Sequence, residues 1–202
     1  MHEVTFSGLR LLSAPGRVMT PRPASELLVA EARARMVDRH ARVADVGTGS
    51  GAIAVAIARA CPQVEVWATD TSPCAVLLAR ANIQRHGLEE RVFVRHCHLL
   101  DEVPAPVDLI VANLPYLPAS VATEHPDLMT EPFESVFTPG DGLDPYRRLV
   151  DAASTWLAED GELLLQLHRR IVSATRAELP FLRSELDAPS LLHEPSAAAL
   201  AA

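Results

Sequence analysis

Asp45-Val46-Gly47-Thr48-Gly49-Ser50-Gly51 lies between the β-branched run Ala41–Val46 and an apolar stretch, Gly51–Cys61, in which Ile53, Val55 and Ile57 are interleaved with alanines. A strand that ends in glycines and passes straight into a helix lets the backbone approach a ligand at the helix N-terminus, where amide donors are free. Three alternating glycines exceed what a bare turn needs, so a nucleotide-like ligand is expected there. With Ala52 the run also fits the looser dinucleotide pattern Gly-x-Gly-x-x-Ala, and Asp70 lies at about the spacing of a ribose-binding acid.

Working outward, short β-branched runs alternate with helical patterns, which is the order of a parallel sheet with crossover helices. A second strand, Val64–Thr69, ends at Asp70, and Ser72-Pro73 reads as an N-cap followed by proline at the first helical position, with the helix stopping at Gly87. Arg91–Cys97 and the nearly continuous apolar run Val107–Ala112 are further strands. Asp144-Pro145 opens a helix in which Tyr146, Leu149, Val150, Ala153, Trp156 and Leu157 recur at helical spacing and form a core face, and Gly161–Leu167 is the fifth strand. Upstream, Phe6–Ser13 reads as a strand or hairpin arm and Ala24–Met36 as a helix entered from Pro21-Arg22-Pro23. The chain divides into three parts: a hairpin and helix over 1–40, packed on a ligand-binding domain over 41–190, and a flexible tail over 191–202.

Composition bounds the chemistry. The chain has 202 residues, 49% of them hydrophobic, which suits one soluble globular domain. Its 18 basic side chains are all arginine, so Schiff-base chemistry, a lysine base and a P-loop lysine are excluded. A net charge of -8 lacks the electrostatic footprint that phosphate binding normally needs; Arg33, Arg35, Arg39 and Arg42 form the one dense basic cluster, read as a solvated helix face. Cys61, Cys74 and Cys97 are odd in number and have no CxxC spacing, which points to a reducing compartment and to small core residues. His96-Cys97-His98 cannot converge on one ion from a strand, since neighbours point to opposite faces, so no metal site is expected. Met1-His2-Glu3-Val4 shows no secretory pattern, and no uncharged run reaches the ~18 residues of a membrane span. A cytoplasmic protein without membrane contact is the expectation.

Two features favour S-adenosylmethionine over a dinucleotide. Asp45 would set a carboxylate where a pyrophosphate otherwise lies, which suits a cationic amino-acid ligand. The second is Asn113-Leu114-Pro115-Tyr116 after the fourth strand, in the crevice where open α/β sheets bind ligands. The chain here resembles class I S-adenosylmethionine-dependent methyltransferases. That resemblance implies a Rossmann-like α/β fold with a mostly parallel sheet and helices on both faces, whereas the ending of this chain does not resemble the usual final strand pair. It carries cofactor binding onto Gly47, Thr48, Gly49, Ser50, Gly51 and Asp70, with Leu99 flanking the adenine and Asn113 at the reacting end.

An amide or aryl-amine nitrogen is a poor nucleophile because its lone pair is delocalised, and methyl transfer needs that pair aimed in line. The Asn113 side-chain carbonyl and the Leu114 main-chain carbonyl can each accept one N–H of a target NH₂; Pro115 holds Leu114 extended, and Tyr116 packs against the planar group. The tetrad resembles the Asn-Pro-Pro-Tyr motif of methyltransferases that act on planar-system nitrogens, a set spanning DNA or RNA adenine enzymes and protein glutamine enzymes. The Asn-Leu-Pro-Tyr variant is also familiar from ribosomal-RNA adenine dimethylases.

Other segments narrow the choice. Phe6-Ser7-Gly8 with Pro21-Arg22-Pro23-Ala24-Ser25-Glu26, and downstream Glu131-Pro132 with Gly140-Asp141-Gly142-Leu143-Asp144-Pro145-Tyr146-Arg147, resemble release-factor N5-glutamine methyltransferases of the HemK type over residues 6 to 167. That family usually reads Pro-Arg-Pro-Glu-Thr-Glu at the first segment. The resemblance implies a protein partner, such as a release factor, and a chain that begins where the family's N-terminal recognition domain ends. Six positions depart from it: Leu114 replaces the first proline of the tetrad, Cys97-His98 stands for Gly-Asp, Gln166 for Glu, and Leu167-His168 for Ile-Gly. There are three competitors: an N6-adenine methyltransferase, a cofactor-binding protein with lost catalysis, and an NAD enzyme, which leaves residues 113–116 unexplained.

Overall fold

A computed structural model describes residues 1–167 and the strands Arg183–Ser184 and Leu191–Glu194. A hairpin of β1 (His2–Phe6) and β2 (Leu9–Ser13) precedes helix α1 (Glu26–Met36). Then come β3 (Ala41–Val46), α2 (Ala52–Ala60), β4 (Val64–Asp70), α3 (Pro73–Arg85), β5 (Val92–His96) and β6 (Val107–Ala112). A short parallel pair, β7 (Leu117–Pro118) and β8 (Phe137–Thr138), leads to α4 (Asp144–Trp156), β9 (Leu157–Gln166), β10 (Arg183–Ser184) and β11 (Leu191–Glu194).

The main sheet has seven strands in the order β10-β11-β9-β6-β3-β4-β5. From β9 to β5 every pairing is parallel, while β11 runs antiparallel to β9 and β10 to β11. The chain builds outward from β3 through β4 to β5, then crosses back and builds outward through β6 to β9. The crevice past the carboxyl ends of β3 and β6 is therefore the switch point, where such sheets bind ligands. Side chains alternate across the sheet with period two. Val43, Leu109 and Val111 pack with α1, α2 and α3 on one face, and Ala44, Ile110 and Ala112 pack with α4 on the other.

Local chemistry accounts for the element ends. The Ser72 hydroxyl accepts the Ala75 N–H at 3.4 Å with Pro73 at the first helical position, so α3 starts as its sequence predicts, and Gly87 (φ +62°) follows its end. Ser7 and Gly8 (φ +48° and +74°) make the two-residue turn whose twist suits a hairpin. Fully buried Asn82 bonds both backbone groups of Leu12 and also the Ser50 carbonyl, at 2.7–3.0 Å, tying the hairpin and the glycine loop to α3. In α4, Tyr146, Leu149, Val150 and Ala153 are buried, and each large one contributes roughly 1.5–3 kcal/mol through removal from water.

Several expectations need correction. The N-terminal strand starts at His2, and residues Pro23–Ser25 form a 3-10 turn before α1. β9 starts at Leu157 rather than Gly161, because a register irregularity between Val107 and Leu109 lets the segment after α4 join the sheet early. Cys61 is buried, but Cys74 is exposed, since the first turn of α3 turns that position to solvent. The arginine cluster is not one helix face: Arg42 sits on β3, pairs with Glu65 at 2.9 Å and bonds the Pro104 and Pro106 carbonyls, while Arg35 bridges Glu31 and Glu162 at 2.7 and 2.9 Å. The segment read as a tail, 191–202, overlaps β11 at Leu191–Glu194, where the backbone pairs with β9; its remainder, like His168, lies outside the described residues. Among the described residues no helix is long and apolar enough to cross a membrane.

Candidate active site

The glycine loop closes on itself. Gly47, Gly49 and Gly51 all have positive φ (+72°, +57° and +78°), so the turn alone requires each of them. The Gly47 and Thr48 amides donate to the Thr69 carbonyl at 2.9 Å, the Gly49 amide to Asp70 Oδ2 at 2.9 Å, and the Gly51 amide to the Thr48 carbonyl at 2.9 Å. The expectation of free amide donors in the loop fails at these positions. A pyrophosphate needs such a row of donors, so the loop chemistry disfavours a dinucleotide.

Asp45 also differs from its sequence reading. It is fully buried, and Oδ2 accepts the Thr48 hydroxyl at 2.6 Å and the Ala54 amide at 3.1 Å, so the carboxyl organises the loop instead of presenting charge to a ligand. Burial raises its pKa to about 7, against the lowering effect of those two bonds. Oδ1 has no partner among the described residues.

Two cavities open past the strand ends. One, about 290 Å³, is lined by Gly47, Gly49, Asp70, His98, Leu99 and Asn113 among others. Its volume is near the lower end for small-molecule sites, about 300 Å³. Asp70 accepts the Gly49 and Ser72 amides, one on each oxygen, and each oxygen keeps a lone pair for a hydroxyl donor. Burial raises the Asp70 pKa. The Thr69 hydroxyl donates to the Leu99 carbonyl at 2.7 Å, which holds Leu99 in a left-handed conformation (φ +43°) at the wall. Thr48 and Ser50 are buried on the other side of the loop at a cavity of about 60 Å³, and Gly51 abuts Ala79. An acid with free lone pairs, an apolar wall and no run of free amides fit a nucleoside joined to an amino acid better than they fit a phosphate diester.

The second cavity, about 470 Å³, shares Asn113, Leu114 and Pro115 with the first and adds Arg22, Ser25, Tyr116 and Gln166. The tetrad thus stands at the junction of the two. Asn113 Nδ2 donates to the Ser25 hydroxyl at 3.1 Å, which commits the amide nitrogen and fixes the side-chain oxygen as the available acceptor. The Leu114 carbonyl lies 2.9 Å from the hydroxyl of fully buried Tyr146, which is also 2.7 Å from the Gln166 carbonyl; having one proton, it serves one of them at a time. Burial raises the Tyr116 pKa, and the ring lines the larger cavity.

The flanking motifs serve this junction. Glu131, buried, takes the Thr20 amide at 3.0 Å and Arg22 at 3.1 Å, stapling the segment before α1 to the segment before β8. Gly142 has φ +92°, and a Cβ there would lie 2.3 Å from the Tyr116 carbonyl oxygen. Asp141, held at about pKa 2 by its bond to Arg147, accepts the Leu143 amide at 3.0 Å and closes the same turn. Ser25, Glu131, Tyr146 and Gln166 carry no site signal of their own in the sequence; only their place within family-like segments, or their position beside the tetrad, could have marked them.

The methyltransferase small domain family matches residues 20–135 of this chain, a span that holds the loop, Asp70 and the whole tetrad. The chain belongs to that family. Among its curated relatives, the release factor glutamine methyltransferase of Deinococcus radiodurans is 43% identical over 88% of this chain and 63% of its own length. The same enzyme of Gloeobacter violaceus is 42% identical over 74% of this chain and 54% of its own. The chain thus spans a little over half the length of these relatives. The fold recurs in solved methyltransferases at low identity. A T. thermophilus 16S rRNA methyltransferase, in complex with AdoMet and guanosine, has a TM-score of 0.67 at 20% identity over 96% of this chain and 50% of that one. A ribosomal protein L11 methylase from Lactobacillus delbrueckii has 0.60 at 22% identity, over 86% and 78%.

Proposed function

We propose that this methyltransferase-family chain uses S-adenosylmethionine to methylate a side-chain amide nitrogen of glutamine in a protein such as a peptide chain release factor. The observation that carries the reading is the junction at Asn113. One cavity suits a nucleoside linked to an amino acid, the other admits an acceptor, and Asn113, Leu114 and Pro115 of the tetrad line both. When bound, S-adenosylmethionine supplies an electrophilic methyl group on a sulfonium. Gly47, Gly49, Asp70 and Leu99 hold it, Asp70 through hydroxyl donors and Leu99 through apolar contact.

Asn113 and Leu114 orient the acceptor. The Asn113 side-chain oxygen, its nitrogen committed to Ser25, takes one N–H of the target NH₂, and the Leu114 carbonyl takes the other on the lone pair that Tyr146 leaves open. Two fixed acceptors hold the amide plane, so the rate comes from orientation and exclusion of water. Asp45 and Asp70 are engaged by the loop, and no side chain is assigned as a base. The S–CH₃ bond breaks as N–CH₃ forms, S-adenosylhomocysteine leaves, and the strongly acidic methylated amide then gives its extra proton to water. A protein partner accords with the relatives named above and with the net charge of -8.

Incubation with S-adenosylmethionine and a Gly-Gly-Gln-containing release factor, in parallel with RNA, DNA and free glutamine, tests the proposal by product mass. A single methyl group on the glutamine is expected. Methyl transfer to adenine and none to glutamine would replace it with the nucleic-acid reading.

A further inference from the structure

Gln166 ends β9 where that strand lies beside β6: Ala112 pairs with Leu165, so Asn113 and Gln166 follow side by side at the carboxyl edge of the sheet. Its backbone pairs with Leu191 of β11, and its carbonyl lies 2.7 Å from the Tyr146 hydroxyl that it shares with Leu114. The residue is 4% exposed and is one of those lining the 470 Å³ cavity, and its Oε1 is buried with no hydrogen-bond partner among the described residues. A buried acceptor without a donor is costly and rare.

We infer that Gln166 is a specificity-determining residue whose side-chain carbonyl accepts an N–H of the methyl acceptor. With the Asn113 side-chain oxygen and the Leu114 carbonyl it forms a wall of neutral acceptors. Such a wall favours a carboxamide and its neighbouring peptide N–H groups and repels the carboxylate of glutamate. The inference rests on the reading of the larger cavity as the acceptor site. The position on a strand, between β6 and β11, gives the contact the rigidity that discrimination needs.

The test measures binding of a glutamine-containing peptide, and of its glutamate counterpart, to the full chain in the presence of S-adenosylhomocysteine. Wild-type protein is compared with Gln166→Leu, which removes the acceptor at similar volume, and Gln166→Glu, which keeps only acceptor oxygens. Gln166→Leu is expected to weaken glutamine-peptide binding by about 10-fold and to narrow the preference over the glutamate peptide, with S-adenosylhomocysteine affinity unchanged and the melting temperature no lower than that of the wild type. Gln166→Glu is expected to recover most of the loss. Equal peptide affinity in Gln166→Leu and wild type overturns the assignment, as does equal loss in both variants or a parallel loss of S-adenosylhomocysteine affinity. If the wild-type protein methylates adenine and not glutamine, the proposed function fails separately. The variants are then titrated with that acceptor, and unchanged affinity in Gln166→Leu overturns the role of Gln166.

Discussion

Ser25→Ala tests the orientation of Asn113. Ser25 occupies the N-cap position of α1, yet its side chain makes no capping bond and is the partner of Asn113 Nδ2 at 3.1 Å, across 88 residues of sequence. Leu114 lacks the ring with which a proline would restrict Asn113, so this hydrogen bond is the main restraint on the amide. Without it the amide can turn over and direct its NH₂ at the substrate NH₂, two donors facing each other. A neutral hydrogen bond of this kind is worth about 0.5–1.5 kcal/mol, which corresponds to a roughly 2- to 13-fold loss in the rate of methyl transfer. The assay is single-turnover transfer to the glutamine acceptor at saturating S-adenosylmethionine. Cofactor affinity is expected to hold, because Ser25 does not line the 290 Å³ cavity that holds Asp70 and Leu99. Ser25→Thr, which restores the hydroxyl, is expected to return most of the rate. A wild-type rate in Ser25→Ala, or an equally slow Ser25→Thr, would refute the role.

Gly142→Ala is expected to destabilise the protein and lose most of its turnover, because the new Cβ would meet the Tyr116 carbonyl at 2.3 Å, whereas Gly140→Ala meets nothing within 4 Å and carries only the strain of φ +72°. Thermal melts of the pair check this; equal melting temperatures would contradict it. Asp45→Asn probes the buried carboxyl. Between its ordinary pKa of 3.8 and about 7 the folded state holds a proton that the unfolded state has released, so wild-type stability falls as pH rises across that window. Asp45→Asn lacks this penalty and should gain on the wild type between pH 4 and 7.5 by an amount of order 4 kcal/mol. Denaturation curves that keep a constant separation across that range would contradict it.

The fold was legible because its signals are local. The glycine loop, the Ser72-Pro73 cap and the 107–112 run each state their element within a few residues, and the structure forms all three. The tetrad was legible for the same reason, being four consecutive residues at a strand end. What supports it was not legible. Ser25 and Glu131 stand in family-like segments with no role of their own until folding brings them against partners some 88 and 109 residues away. Asp45 was misread because strand alternation does not say whether a carboxyl at a loop faces a ligand or the loop's own amides. Arg42 was misread because proximity in sequence to the α1 arginines hides its place on β3.

The most direct test of the account is the rate of methyl transfer to a glutamine acceptor by Asn113→Ala, measured with S-adenosylmethionine bound to saturation. Asn113 is assigned to the acceptor's NH₂, and its side-chain nitrogen bonds Ser25, so its removal leaves the Asp70 carboxylate and its two backbone partners in place. The variant is expected to bind S-adenosylmethionine nearly as the wild type does and to transfer no methyl group above background. Transfer at the wild-type rate would contradict the placement of the chemistry at Asn113.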